Sequence, residues 1–362
     1  MQTLLNRMKT SPVGQLVRKT APWLMLGSVF PALLVVNVLF LSVFPAQPQS
    51  STPAGSPAGG SPGSIQDAIQ RAVDPRNTLV QTGYVYNSRD PNKLFGNFYY
   101  TLGTQLAARG QLIPAEATLS KAIQLLPNDA FGHMNYAIVL EALQRYPDAL
   151  NHYETATRLD PHLVQAVYSL GLLQDKMGNT DLGLQTLHQA VALAPNNGFI
   201  NYDLGVLYAK KSDYANSAIY SKKAVENGGD FAEAYNNYGY ALAQLGKYDE
   251  ALKMVDKSLA LKPDSAAALD SKGFALFGMG KYPQAQEAYQ EALRQDPTIG
   301  EIYLHIGQTY DKMQQFDKAL KSYQTYLQMI PEAPDKAEVT TRIQQLKLQQ
   351  KPAMTPVKGL AP

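Results

Sequence analysis

The chain has 362 residues, with 32 Lys and Arg against 30 Asp and Glu, a balance far from the dense positive field that nucleic-acid binding requires. Four of the bases, Arg7, Lys9, Arg18 and Lys19, precede residue 23 with no acid among them, so the remainder is mildly acidic. With no cysteine, disulfides, thiolate nucleophiles, Cys-ligated zinc and iron–sulfur clusters are excluded, and either redox compartment is compatible.

From Trp23 to Phe44 the chain carries no charge. As a helix rising about 1.5 Å per residue this segment spans about 33 Å, enough to cross a bilayer's hydrocarbon core. The rival reading, a cleaved signal peptide, has an apolar stretch of about 7 to 15 residues and small residues at the cleavage site. Here Phe44 and Pro45 stand where small residues should be, which favours an uncleaved anchor. Pro31 predicts a kink, and Asn37 could bond a partner helix or its own backbone. The basic residues before the span and the absence of charge from Thr20 to Gln66 place the amino terminus in the cytoplasm and everything after the span in a periplasm or lumen. Residues 45–64, made only of Pro, Gly, Ser, Ala, Gln and Thr, read as a flexible linker. Ser64 and Asp67 fit a capping box for a short helix over Ile65 to Val73. Residues 65–95 as a whole read as an amino-terminal cap or a degenerate half-repeat.

Self-alignment gives columns at one constant spacing of about 34 residues. One reads Gly103, Ala137, Gly171, Gly205, Gly239, Gly273 and Gly307; a second Pro127, Pro161, Pro195, Gly229, Pro263, Pro297 and Pro331. A third reads Ala115, Ala149, Gly183, Ser217, Ala251, Ala285 and Ala319, and a fourth Ala122, Ala156, Ala190, Ala224, Ser258, Ala292 and Tyr326. Each unit predicts two helices. In the sixth, the first ends near Met279 and Gly280, and the second opens at Lys281-Tyr282-Pro283 and stops at Asp296-Pro297. Small residues recur where two helices cross closely, and no unit can bury its apolar faces alone, so neighbours must stack.

This spacing resembles the tetratricopeptide repeat over residues 96–333, seven repeats. The resemblance implies an all-α, right-handed superhelical solenoid whose first helices line a concave groove. It is nearly silent on function, because the family is a binding scaffold in unrelated pathways. The fourth repeat departs from the pattern at Ser217, Ser221 and Asn227-Gly228-Gly229 and should pack least well. After the repeats, Val339, Ile343 and Leu346 recur on one helical face within residues 334–350, the capping helix a solenoid needs. Residues 351–362 read as a disordered tail.

The five histidines, His133, His152, His162, His188 and His305, lie far apart in sequence and in different columns, and read as surface or packing residues. No HExxH, Walker sequence, GxGxxG or GxSxG occurs. Nothing outside anchor, linker, caps and repeats leaves room for a catalytic domain, so the expectation is no enzyme, no cofactor, no metal, no nucleic acid and no small-molecule substrate.

In the family's architecture the residues three before and one after the glycine column face the groove. The first row is Tyr100, Met134, Tyr168, Tyr202, Asn236, Asp270 and Leu304; the second is Thr104, Ile138, Leu172, Val206, Tyr240, Phe274 and Gln308. With Phe131, Phe199 and Phe277 they predict an apolar, aromatic groove over the first four repeats, patchier into the sixth. The rings either bind a partner or fill the core between first helices. A polar row beside them, Thr101, Asn135, Ser169, Asp203, Asn237, Ser271 and His305, could bond a peptide backbone or be solvated. Neither groove row holds a Lys or Arg, which sets aside the subtype that clamps a C-terminal carboxylate. Residues 96–350 carry 22 bases against 27 acids, favouring neutral or basic partners. The predicted peptide-binding groove is Tyr100, Phe131, Met134, Asn135, Tyr168, Phe199, Tyr202, Asn237, Tyr240 and Phe274. The expected role is a membrane-anchored scaffold holding an extended or helical segment of another protein during assembly of a membrane or envelope complex. The alternatives are a carrier delivering a metal ion or pigment to a membrane complex, and a sugar-transferase subunit, which would lack its catalytic domain.

Overall fold

A computed structural model describes residues 90–228 and 231–349. The anticipated membrane span, the linker, the helix over Ile65 to Val73 and the tail lie outside the described residues. No helix among those described is long and apolar enough to cross a membrane.

The described chain is fifteen helices without a strand. The first pair is α1 (Pro91–Ala108) and α2 (Leu112–Leu125), followed by α3 (Ala130–Ala142) and α4 (Tyr146–Leu159), then α5 (Val164–Lys176) and α6 (Thr180–Leu193). The fourth pair is α7 (Gly198–Lys210) and α8 (Tyr214–Asn227), and the fifth α9 (Ala232–Gln244) and α10 (Tyr248–Leu261). The sixth is α11 (Ala266–Gly278) and α12 (Tyr282–Gln295), the seventh α13 (Gly300–Lys312) and α14 (Phe316–Met329), and α15 (Lys336–Gln349) follows. Each first helix packs on its own second helix, and each second helix on the next pair. α1 begins at Pro91, ahead of the position set by the repeat, because Asp90 caps it and Pro91 starts its first turn.

Within every pair the turn is built alike. Gly110, Gln144, Gly178, Ser212, Gly246, Gly280 and Gln314 all have positive φ. They recur once per repeat at the same place, in the left-handed conformation that ends a helix. Close crossing explains the glycine column: a Cβ on Gly273 would lie 2.5 Å from the Tyr289 ring, and one on Gly171 2.9 Å from Leu187.

The second helices carry the core: Leu119, Tyr153, Leu187, Val255, Tyr289 and Tyr323, which share one position of the repeat, are all buried. The fourth repeat breaks this column with Ser221. Ser217 and Ser221 are buried, and neither hydroxyl has a hydrogen-bond partner among the described residues, so this repeat buries less apolar volume and strands two polar groups.

The capping helix α15 buries Val339, Ile343 and Leu346 against α14. It keeps the repeat's register, with Thr341 and Arg342 falling one full repeat beyond Gly307 and Gln308. Ion pairs link successive first helices: Lys176 to Glu141 at 3.4 Å and Lys210 to Asp175 at 2.7 Å. At the last repeat, Asp311 takes Arg342 of the cap instead, through Nε and Nη2 at 2.6 Å each.

Candidate binding groove

The first-helix faces divide by burial. Tyr100, Met134 and Tyr168 are only 4%, 4% and 6% exposed, and Asn135 is also buried. These four sit in the stack itself, because each first helix lies against the next and the leading row is sandwiched between them. Phe131 is half-buried against the core of the first two repeats.

The polar row explains the sandwich. Asn135 donates through Nδ2 to the Tyr100 hydroxyl at 2.6 Å, and the Tyr168 hydroxyl donates to the Asp203 carboxylate. The Tyr202 hydroxyl is bonded to Asn237, and His305 Nδ1 meets Asp270 Oδ1 at 2.7 Å. Each contact joins the leading row of one repeat to the polar row of the next. Thus Asn135, Asp203, Asn237 and His305 spend side-chain hydrogen bonds on the stack. Burial, followed by the charges of Asp203 and Glu233, holds the Tyr202 hydroxyl well above its usual range.

The partly open rings lie further along than the sequence rows suggest. Phe231, just before α9, packs on Phe199 at 5.5 Å and on Tyr202 at 4.6 Å between ring centroids. Tyr214, Tyr240, Phe274 and His305 then follow one another at 6.0, 6.0 and 6.1 Å. All seven residues are half-buried, so the aromatic surface is centred on repeats four to six rather than one to four. Burial, then the neighbouring Tyr214, pushes the Tyr240 hydroxyl up to about 12; Gln244 donates to it at 2.8 Å. In the first three repeats the second row, Thr104, Ile138 and Leu172, is half-buried.

At the carboxyl end α15 walls a recess of about 600 Å³ lined by Leu304, Gln308, Asp311, Tyr323, Glu338 and Arg342. A neighbouring recess of about 690 Å³ adds Phe277, Lys312 and Phe316. The sequence rows contained no cation; Arg342 supplies one from the cap, although Asp311 holds it.

Among the described residues no three His, Cys, Asp or Glu side chains are grouped to hold a metal ion. The histidines are not all apart, however: His133 and His152, on the two helices of one repeat, touch.

Tetratricopeptide-repeat family models match residues 130–163, 168–230, 230–298 and 276–343. The chain belongs to the tetratricopeptide-repeat family. Among curated proteins it is 24% identical over 157 residues to the TPR repeat-containing protein YpiA of Bacillus subtilis, covering 43% of this chain and 37% of that one. It is 24% identical over 148 residues to the mouse interferon-induced protein with tetratricopeptide repeats 2, covering 41% and 30%. The matched region thus spans only 30% to 37% of these relatives. Among solved structures it is similar to the APC/C hetero-tetramer Cut9–Hcn1, with a TM-score of 0.55 and 13% identity over 77% of this chain and 52% of that one. A tetratricopeptide repeat protein from Parabacteroides merdae gives a TM-score of 0.53 and 16% identity, covering 70% and 98%. PilW, a type IV pilus biogenesis factor, gives 0.51 and 18%, covering 58% and 98%. At these identities the likeness is one of fold.

Proposed function

We propose that this protein is a membrane-anchored scaffold that holds an extended or helical segment of another protein against the first-helix face of its repeats, and so assists assembly of a membrane or envelope complex. The observation that carries the reading is the run of half-buried rings from Phe199 to Phe274. A folded core alone has no need to leave such large rings partly in water, and they are the side chains that anchor interfaces. Family membership supports a protein-binding scaffold; a pilus biogenesis factor among the structural neighbours is compatible with the envelope setting. The anchor and orientation rest on the uncharged stretch from Trp23 to Phe44 and the four preceding bases.

Two measurements test it. A photo-crosslinking side chain at Val206, in the second row, should capture a partner from intact membranes, whereas one at the exposed Lys253 on α10 should not. A reporter active only in the cytoplasm, fused after Pro362, should be silent; activity there would reverse the topology and move the search to cytoplasmic partners.

A further inference from the structure

In the second repeat two imidazoles meet between the paired helices. His133 on α3 and His152 on α4 face each other Nδ1 to Nδ1 at 2.9 Å, with their rings stacked at a centroid distance of 5.1 Å. The other nitrogen of His133, Nε2, lies 3.0 Å from the Pro127 carbonyl oxygen. A carbonyl only accepts, so Nε2 carries a proton and, in the neutral ring, Nδ1 of His133 presents a lone pair. The hydrogen bond between the rings therefore needs the proton on Nδ1 of His152. The first added proton can enter on Nε2 of His152 and leave this bond intact; a further one, on Nδ1 of His133, sets two N–H donors head to head at a distance where neither can accept.

We propose that this pair is a proton-operated latch: the second repeat stays closed while a single proton lies between the facing Nδ1 atoms, and acidification that charges both rings loosens α3 from α4. The groups around it do not compensate. On α4, Asp148 faces His152, but its carboxylate is engaged by Arg145 Nε and Nη2 at 2.8 and 2.6 Å. On α3, Tyr136 packs edge-on against the His152 ring at 4.8 Å. From α2 come Ser120 and Glu116, the latter joined to Arg145 at 2.5 Å. From α1, Tyr100 is bonded to Asn135 and Tyr99 lies under Lys121. From α5, Tyr168, Asp175 and Lys176 are engaged by Asp203, Lys210 and Glu141. Burial, followed by the charge of His133 and opposed by Asp148, lowers the proton affinity of His152.

The sign follows. A histidine whose folded pKa is depressed lets the unfolded chain bind more protons, so the stabilisation is present above the ordinary histidine value and is lost as the pH falls through the folded one.

The fourth repeat shows how to remove the facing imidazole without removing the fold. Asn201 occupies the position two repeats beyond His133, and its Nδ2 donates to the Pro195 carbonyl at 2.9 Å, the bond His133 makes to Pro127. His133→Asn thus keeps the carbonyl contact and removes one of the two facing imidazoles.

The test is hydrogen exchange of the full chain in mild detergent at about pH 7.5 and about pH 5, corrected for intrinsic rates, around the histidine range. Protection over residues 130–159 should fall by about tenfold for each unit by which the folded pKa lies below the unfolded one. Residues 232–261, which contain no histidine, serve as the reference. In His133→Asn, which removes the facing ring but leaves His152 buried, the acid-induced fall should shrink, and in His133→Asn with His152→Asn the two regions should respond alike. A wild-type second repeat that follows the reference, or a variant as acid-labile as the wild type, overturns the latch. Long-range nitrogen NMR of the wild type reads the ring tautomers without any substitution: the Nε2-protonated form at His133 is expected near neutrality, and two rings titrating independently as in an unfolded peptide would also overturn it.

Discussion

Asn135 and Tyr100, on successive first helices, meet across the first repeat junction at 2.6 Å with both side chains buried. The same geometry recurs between Tyr168 and Asp203, Tyr202 and Asn237, and Asp270 and His305. A side chain three residues before the glycine column thus serves the junction first and any ligand second.

Tyr100→Phe should lower stability by about 1–3 kcal/mol, because it leaves the Asn135 amide buried without this acceptor, while Asn135 Oδ1 already lacks a partner. Urea unfolding with an unchanged slope checks it; a neutral result would mean that water reaches Asn135.

The fourth repeat should open first. Hydrogen exchange near neutral pH should be faster over residues 212–228 than over residues 282–295, since solenoid stability is nearly a sum over repeats and junctions. Ser217→Ala, which restores the residue found at Ala115, Ala149, Ala251, Ala285 and Ala319, should recover about 1 kcal/mol by deleting an unpartnered buried hydroxyl.

Gln314→Gly should also stabilise, by up to about 1 kcal/mol, because the left-handed strain relieved exceeds the chain entropy that glycine adds. Gln314 holds φ at 57° where four sister repeats use glycine. Thermal unfolding of the variant reads this directly; a lower melting temperature would show that the side chain contributes more than its strain.

Asp270 and His305 give a pH dependence opposite in sign to the second repeat's. Burial disfavours charge on His305, but the Asp270 carboxylate, by charge and hydrogen bond, and then Glu301 raise its pKa. A raised value contributes stability that is complete below the unfolded histidine pKa and lost as the pH rises through the folded one. Hydrogen exchange over residues 300–312 should therefore be slower near pH 6 than near pH 8 after correction, and His305→Gln should abolish the difference.

The repeat columns made the seven helix pairs, their turns and the cap legible, because small residues at crossings and prolines after second helices follow from local sterics. The left-handed positions at Gln144, Ser212 and Gln314 escaped, since only glycine advertises such a conformation. Of the groove rows, Tyr100, Met134 and Tyr168 are buried in the stack. Row position fixes which neighbour a side chain approaches, not how far the neighbour covers it. Phe231 and Tyr214, which extend the ring surface, lie outside the rows, and Arg342 comes from a helix beyond the last counted repeat. His133 and His152 could have been paired only by a register between α3 and α4 that no column revealed.

Partner capture by a ring-deleted groove tests the scaffold reading most directly. Tyr240→Ala with Phe274→Ala should weaken recovery of the membrane-crosslinked partner by at least about 30-fold, the loss expected from removing one central anchor of about 2 kcal/mol. Helicity should be unchanged, and the Lys253→Ala, Lys321→Ala surface variant should bind as the wild type. A double variant that melts lower but captures its partner undiminished would contradict the account and return these rings to the core.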